Sequence, residues 1–370
     1  MKVPFIDISR WEPGFQQRWT EKVGAMSGAA QFIGGPEVAA LEARLCETLG
    51  VGYAIGCANG TDAIQLGLRA LDVGAGDVVL VPNATFWATF EAVVNVGATP
   101  VTVDISLADG GLDLSALEQA IARERPKAAI AVHLYGWASR DLKAIRQLCA
   151  REGVALLEDG AQCFGASLDG EPVLKGALIS TTSFYPAKVL GAAGDAGAVF
   201  TDDAALADKV RRLGNHGRTA HYGYGDVGWN SRLDALQAAF LNISFDFLDA
   251  RLASRRAVAE TYRCALPTSV SPMPVPAGYV ENGYCNVCLI EDAAQKARLE
   301  ATLRENGIGF GNIYPGSMAS QPGAKPYLKA HYGGDRAELL SRQVINLPLF
   351  AYMTSFEVDH VVATVRTLED

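Results

Sequence analysis

The sequence predicts an α/β protein in which a mostly parallel sheet, covered on both faces, is followed by a smaller α/β unit. Two observations carry that expectation. Short apolar β-rich runs alternate with helical stretches through the first two thirds of the chain, as in sheets buried on both sides by crossover helices. Pro267–Gly278, rich in proline and small residues, then reads as a connector ahead of a second region of strands and helices. The expected units are residues 1–250, including an N-terminal arm, and residues 251–370.

The elements follow in order. Ala54–Cys57 reads as a strand and Asp62–Leu71 as a helix with apolar spacing. Val78–Val81, Pro100–Val103, Ala128–His133, Ala155–Glu158 and Ala198–Phe200 read as buried strands. Phe86–Val96, Asp113–Arg123 and Ser139–Glu152 read as the helices between them. Leu206–Leu213 is helical, and Leu233–Tyr262 reads as one long helix linking the two units. Beyond it, strands are expected at Tyr284–Ile290 and around Ile308–Tyr314.

Bulk properties narrow the function. Of 370 residues, 49% are hydrophobic and 20% charged, as in a globular enzyme. A net charge of −9 argues against nucleic-acid or membrane-surface binding, which need a basic face. It leaves room for a local basic pocket and an anionic substrate. The seven cysteines are odd in number and lie mostly in apolar runs, which suits reduced thiols and a cytoplasmic setting. Cys285 and Cys288 form a lone CxxC without a second pair or nearby histidines, so they read as strand residues and no metal is expected. The N-terminus, MKVPFIDISRW, has no basic-then-apolar signal pattern, and no run approaches the roughly 18 apolar residues of a membrane span.

Three segments carry candidate chemistry. Ala58-Asn59-Gly60-Thr61-Asp62 follows a strand and opens a helix, where free N–H groups and a threonine hydroxyl suit a phosphate. The plainer reading is an N-cap made by Thr61 or Asp62. Leu156–Gln162 is an apolar strand ending on two acids, at the strand end where open α/β sheets bind ligands. An acid there can pair with a protonated heterocycle or simply cap a helix. Ser180–Gly197 holds Lys188 among apolar and small residues, a setting that disfavours its ammonium form and suits an amine nucleophile; the alternative is a lysine that snorkels to solvent. Two glycine patterns, Gly223–Gly228 and Gly50–Gly52, lack the strand–turn–helix order of a dinucleotide site.

Together these segments resemble the DegT/DnrJ/EryC1/StrS family of sugar aminotransferases, of the aspartate-aminotransferase fold. The resemblance also takes in Val3-Pro4-Phe5-Ile6-Asp7, Ile33-Gly34-Gly35-Pro36-Glu37, Thr85-Phe86-Trp87-Ala88-Thr89, Val132-His133-Leu134-Tyr135-Gly136, Gly228-Trp229-Asn230-Ser231-Arg232-Leu233-Asp234 and Asn346-Leu347-Pro348-Leu349. It implies a fold type I pyridoxal-phosphate enzyme with a seven-stranded sheet. By resemblance, Lys188 matches the lysine that forms the Schiff base and moves the proton, and Asp159 matches the acid at the pyridine nitrogen. Gln162 matches a residue near the phenolic oxygen, Phe86 the aromatic stacked on the ring, and Gly60, Thr61 and Ser183 the phosphate cradle. Asn230 matches an asparagine that reaches the neighbouring subunit's phosphate, which implies a homodimer with shared sites. Tyr314, His133, Tyr185 and Arg232 fall where the family meets its substrates, a nucleotide-linked keto-sugar of 3-keto type and L-glutamate. Gly160, Val189 and Asn312-Ile313-Tyr314-Pro315 depart from the family's usual residues, and the last of these leaves the sugar open. Three rivals remain. A dehydratase of the same fold would carry histidine in place of Lys188. A non-catalytic regulator would not need Lys188, Asp159 and Thr61, and a plain amino-acid aminotransferase would differ in its acceptor.

Overall fold

A computed structural model describes residues 1–368. Its centre is an eight-stranded sheet: β1 (Tyr53–Cys57), β2 (Val78–Pro82), β3 (Thr99–Val103), β4 (Ala128–Val132), β5 (Ala155–Asp159), β6 (Ile179–Ser183), β7 (Gly197–Thr201) and β8 (His331–Tyr332). The spatial order is β1-β7-β6-β5-β4-β2-β3-β8. Only β7 runs against the others, pairing antiparallel with both β1 and β6.

Side-chain alternation buries both faces of this sheet. Val79, Val81, Ile130, Val132 and Leu157 pack on one side with α3 (Gly60–Ala70) and α4 (Trp87–Asn95). Leu80, Val101, Val103, Ala129 and Leu156 pack on the other with α5 (Leu114–Glu124) and α6 (Leu142–Arg151). Towards the β1 edge, Ala54, Ala198 and Phe200 meet Leu41 and Leu45, from the helix Pro36–Leu49. A further core gathers Val258, Tyr262, Leu299, Leu303, Leu347 and Val361, and Val3 of the N-terminal arm joins it.

Several expectations need correction. The sheet has eight strands rather than seven. The eighth, β8, is two residues long, lies beyond residue 251 and pairs parallel with β3 through His331↔Thr102 and Tyr332↔Val103; so short a segment has no periodicity to betray it. Ile179–Ser183 was not expected as a strand because most of its residues are serine and threonine, yet Ile179 to Thr182 are all buried at the sheet centre. The long helix is two, Ala235–Phe245 and Leu248–Ala265. The break at Asp246–Phe247 is held by tertiary contacts: Asp246 takes Arg18 and Arg44, and Phe247 packs near Phe15. Of Tyr284–Ile290 only Cys288–Leu289 is a strand, paired with Val344–Ile345. Residues 308–314 form no strand, only single bridges from Ile308 to Val3 and from Gly311 to Asn346. Cys288 does lie on a strand and Cys285 just before it; both are buried and free. Among the described residues no helix is long and apolar enough to cross a membrane.

Candidate active site

The carboxyl ends of β5 and β6 and the starts of α3 and α4 converge. Asp159 ends β5, Ser183 ends β6, Gly60 opens α3 and Phe86 immediately precedes α4. The cap of α3 is Asn59, whose Oδ1 accepts from the Asp62 N–H at 2.8 Å; neither Thr61 nor Asp62 plays that part. The N–H groups of Gly60 and Thr61 and the Thr61 hydroxyl make no hydrogen bond among the described residues. They are free donors at the positive end of a helix. Gly60 touches Ser183 so closely that an added Cβ would sit 2.7 Å from the serine Cβ.

Asp159 is 5% exposed. Its Oδ2 accepts from the Thr89 hydroxyl and its Oδ1 from the Ala161 N–H, both at 3.1 Å. Burial pushes its carboxyl up, while the Ala161 N–H and the Lys188 charge pull it back. A buried carboxylate short of positive charge is a seat for a cation. Glu158 points to the opposite face, where Arg146 forks onto it at 2.6 and 2.8 Å and His133 Nε2 lies 2.9 Å away. Burial raises the Glu158 carboxyl, but these two partners outweigh it and hold it below its ordinary value. His133, expected at the substrates, is therefore 1% exposed and engaged with Glu158, and its Nδ1 has no partner among the described residues. Its place just after β4, in the register that pairs Ala131 with Glu158 and Val132 with Asp159, sets it on the Glu158 face and away from Asp159.

Lys188 lies half-buried in the loop between β6 and β7, its Nζ 3.2 Å from the Tyr284 hydroxyl. An added Cβ on Gly191 would meet the Pro186 carbonyl at 2.4 Å. That glycine serves the loop's own turn rather than ligand approach. Gln162 is fixed at both ends: Oε1 accepts from the Tyr135 N–H at 2.8 Å, and Nε2 donates to the Tyr314 hydroxyl at 2.6 Å. The Tyr314 ring lies 6.0 Å from that of Phe86. Phe86 is 58% exposed, whereas Trp87 stacks on Phe90, so Phe86 is the aromatic with a free face. Tyr185, on the Lys188 loop, is exposed.

Asn230 and Arg232 are not in this cluster. Both are exposed and line a separate cavity of about 340 Å³ with Ala58 and Asp195, and Arg232 donates to Asn215 at 3.1 Å. Two contributors escaped the sequence. Thr89 had a usable signal, its place three residues after Phe86 on one helix face. Tyr284, separated from Lys188 by nearly a hundred residues, had none.

These residues fit pyridoxal phosphate. Free helix-start donors suit its phosphate, a buried acid whose carboxyl is pushed up by burial suits its ring nitrogen, and a half-buried lysine whose Nζ bonds a phenol suits its aldehyde. The fold and this constellation define a pyridoxal-phosphate-dependent transferase of the aspartate-aminotransferase type. The chain belongs to the DegT/DnrJ/EryC1/StrS aminotransferase family, whose model matches residues 15–366. It is 37% identical over 370 residues to the UDP-N-acetyl-3-dehydro-alpha-D-glucosamine 3-aminotransferase of Acidithiobacillus ferrooxidans, covering 98% of this chain and 97% of that one. It is 35% identical over 365 residues to the UDP-2-acetamido-2-deoxy-3-oxo-D-glucuronate aminotransferase of Pseudomonas aeruginosa, covering 98% and 99%. Its fold matches S. venezuelae DesV, solved in complex with a ketimine intermediate, with a TM-score of 0.94 and 31% identity, covering 100% and 99%.

Proposed function

We propose that this aminotransferase moves an amino group from L-glutamate to a nucleotide-linked 3-keto sugar, in two half-reactions at one site. The observation that carries the reading is Lys188 set beside the buried, cation-seeking Asp159 and the free donors of α3. Whole-chain likeness to proteins named for 3-dehydro and 3-oxo sugars of UDP supports the acceptor class.

Bound pyridoxal phosphate supplies the electron sink. The chain's own groups do the rest. Asp159, held by Thr89, would keep a positive charge at the ring nitrogen. Gly60, Thr61 and Ser183 would hold the phosphate, Phe86 would cover one ring face, and Gln162, pinned by Tyr135 and Tyr314, would meet the phenolic oxygen. Lys188, as a free amine, takes the proton from the donor's α-carbon and later delivers one to the sugar carbon. Tyr185 and Tyr314 border the space left for substrate. Asn230 and Arg232 serve the site of a second copy in a homodimer, a reading supported by Tyr222 and Tyr224 standing exposed on the same stretch of chain. Seven free thiols suit a cytoplasmic enzyme.

The test is a panel of UDP- and dTDP-linked keto-sugars incubated with glutamate, with products read by mass spectrometry. Amines should appear from nucleotide-linked 3-keto sugars. Higher kcat/KM for keto acids than for every keto-sugar would make the protein a plain amino-acid aminotransferase instead.

A further inference from the structure

A cavity of about 500 Å³ opens between the N-terminal arm and the Lys188 loop. Three arginines and Lys188 line it, with Trp11 and Trp19 among its aromatic walls. Two of the arginines are already neutralised. Arg10 forks onto Glu357 at 2.5 and 2.8 Å, and Arg251 onto Glu12 at 2.6 and 2.8 Å.

Arg255 differs. It is 7% exposed and has no carboxylate partner among the described residues. Its Nη1 reaches only the Gly283 and Leu349 carbonyls, at 3.3 and 3.4 Å. Its Nε is buried without a partner, and its Nη2 makes no hydrogen bond among the described residues. Nε and Nη2 form one edge of the guanidinium fork. Arg251 and Arg146 each fill that same edge with a glutamate. A buried guanidinium with this edge empty is costly unless an anion arrives.

We propose that the cavity is an anion subsite of the active site, in which the empty Nε/Nη2 edge of Arg255 receives the carboxylate of the amino-acid donor. The inference rests on the glutamate reading above. Its position favours the donor over the sugar nucleotide. Tyr284 bonds Lys188 through its hydroxyl, and the carbonyl of its neighbour Gly283 accepts from Arg255, so the two cations flank one short segment. An α-amino acid carries its carboxylate on the carbon that bears the reacting amine, so a donor amine that takes the place of the Lys188 amine holds its carboxylate one carbon away, in the cavity that Arg255 also lines. A sugar's diphosphate is carried on C1, two ring bonds from a 3-keto carbon, whereas the donor's carboxylate is attached directly to its reacting carbon. Planar, bidentate capture is what arginine offers a carboxylate and lysine does not.

The holoenzyme half-reactions separate the possibilities. Arg255→Gln should weaken glutamate, read by the cofactor's absorbance change, by about 100-fold. The keto-sugar half-reaction of enzyme loaded with pyridoxamine phosphate should stay within about threefold of wild type. Arg255→Lys, which keeps the charge and loses the fork, should still weaken glutamate by about tenfold. Glutarate, an unreactive dicarboxylate, should quench the fluorescence of the wild-type protein and lose affinity in both variants. Unchanged glutamate and glutarate affinity in the variants overturns the proposal. Loss of UDP binding in place of glutarate binding assigns the site to the diphosphate and overturns it as well. If Arg255→Gln does not fold, Arg255→Lys and the glutarate titration decide. If wild type gives no change with glutamate, the donor reading fails, and the Arg255 site stands or falls on glutarate alone.

Discussion

Replacing Gly60 with alanine measures how tightly the start of α3 is held against β6. The new Cβ would lie 2.7 Å from the Ser183 Cβ and 3.1 Å from its hydroxyl, well inside the roughly 3.5–4.0 Å of carbon–carbon contact. Ser183 cannot step aside freely, because it pairs with Gly197, and a Cβ on Gly197 would itself meet the Asn59 carbonyl at 2.5 Å. Overpacking of this kind costs about 1–3 kcal/mol. Alanine regains up to about 0.5–1 kcal/mol over glycine in a helix, so the net loss should be at most about 2.5 kcal/mol and the coupling to Ser183 is the deciding readout. The assay is urea denaturation of cofactor-free protein for Gly60→Ala, Ser183→Gly and the double variant. Ser183→Gly removes the opposing Cβ, so the pair should couple favourably by about 1–3 kcal/mol, whereas Ser183→Ala, which keeps it, should rescue nothing. Additivity within about 0.5 kcal/mol would refute the steric account.

Other outcomes follow from the same geometry. Asp159→Asn should fold normally and slow both half-reactions on the order of 100-fold in single-turnover assays; near-native turnover contradicts its role. Borohydride reduction and peptide mapping should find the cofactor on Lys188, and a modified lysine elsewhere would reassign it. Light scattering should show a dimer, and mixed Lys188→Ala and Asn230→Ala chains should regain activity, because each heterodimer gathers both lesions in one site; heterodimers that stay inactive, with Asn230→Ala itself clearly impaired, would exclude shared sites. Arg10 holds Glu357 at about 2 against an ordinary 4.5. A depressed carboxylate stabilises fully above 4.5 and loses that contribution as pH falls towards 2, so Glu357→Gln should cost up to about 3 kcal/mol at pH 7. That gap should close in melting curves taken across the acid range, and a gap of unchanged size at low pH would be wrong for this pair.

What the sequence made legible was local. The strand of Leu156 to Asp159 announces itself by an apolar run ending in acids, and the start of α3 by its small polar residues. The family resemblance then joined pieces that no local pattern connects. What stayed hidden depends on distance or on packing. Ile179–Ser183 looks polar because four of its five residues carry hydroxyls, although the sheet buries Ser180, Thr181 and Thr182. The break at Asp246–Phe247 lies inside a helical pattern and is imposed by Arg18, Arg44 and Phe15 from other elements. Gly223–Gly228 resembles a phosphate loop only in letters: Gly223 sits in a hairpin, and a Cβ on Gly228 would strike the Leu213 carbonyl at 2.2 Å. The parity of Glu158 and Asp159 could have warned that only one of them faces the ligand side, and it also explains why His133 follows Glu158.

The lone reversed strand, β7, has a bearing on the order in which the polypeptide matures on the ribosome. β1 emerges early, yet its hydrogen-bonding neighbour in the sheet is β7. Until Gly197–Thr201 leaves the exit tunnel, β1 has no ladder to join, and the Gly60–Thr61 end that follows it is not seated against Ser183. The nascent chain therefore carries an apolar, unmatched strand through much of its synthesis, a period when chaperones would find it. Arrested chains ending before β7 should not retain pyridoxal phosphate, and chains long enough to have released β7 are the first in which the two halves of the cradle can meet.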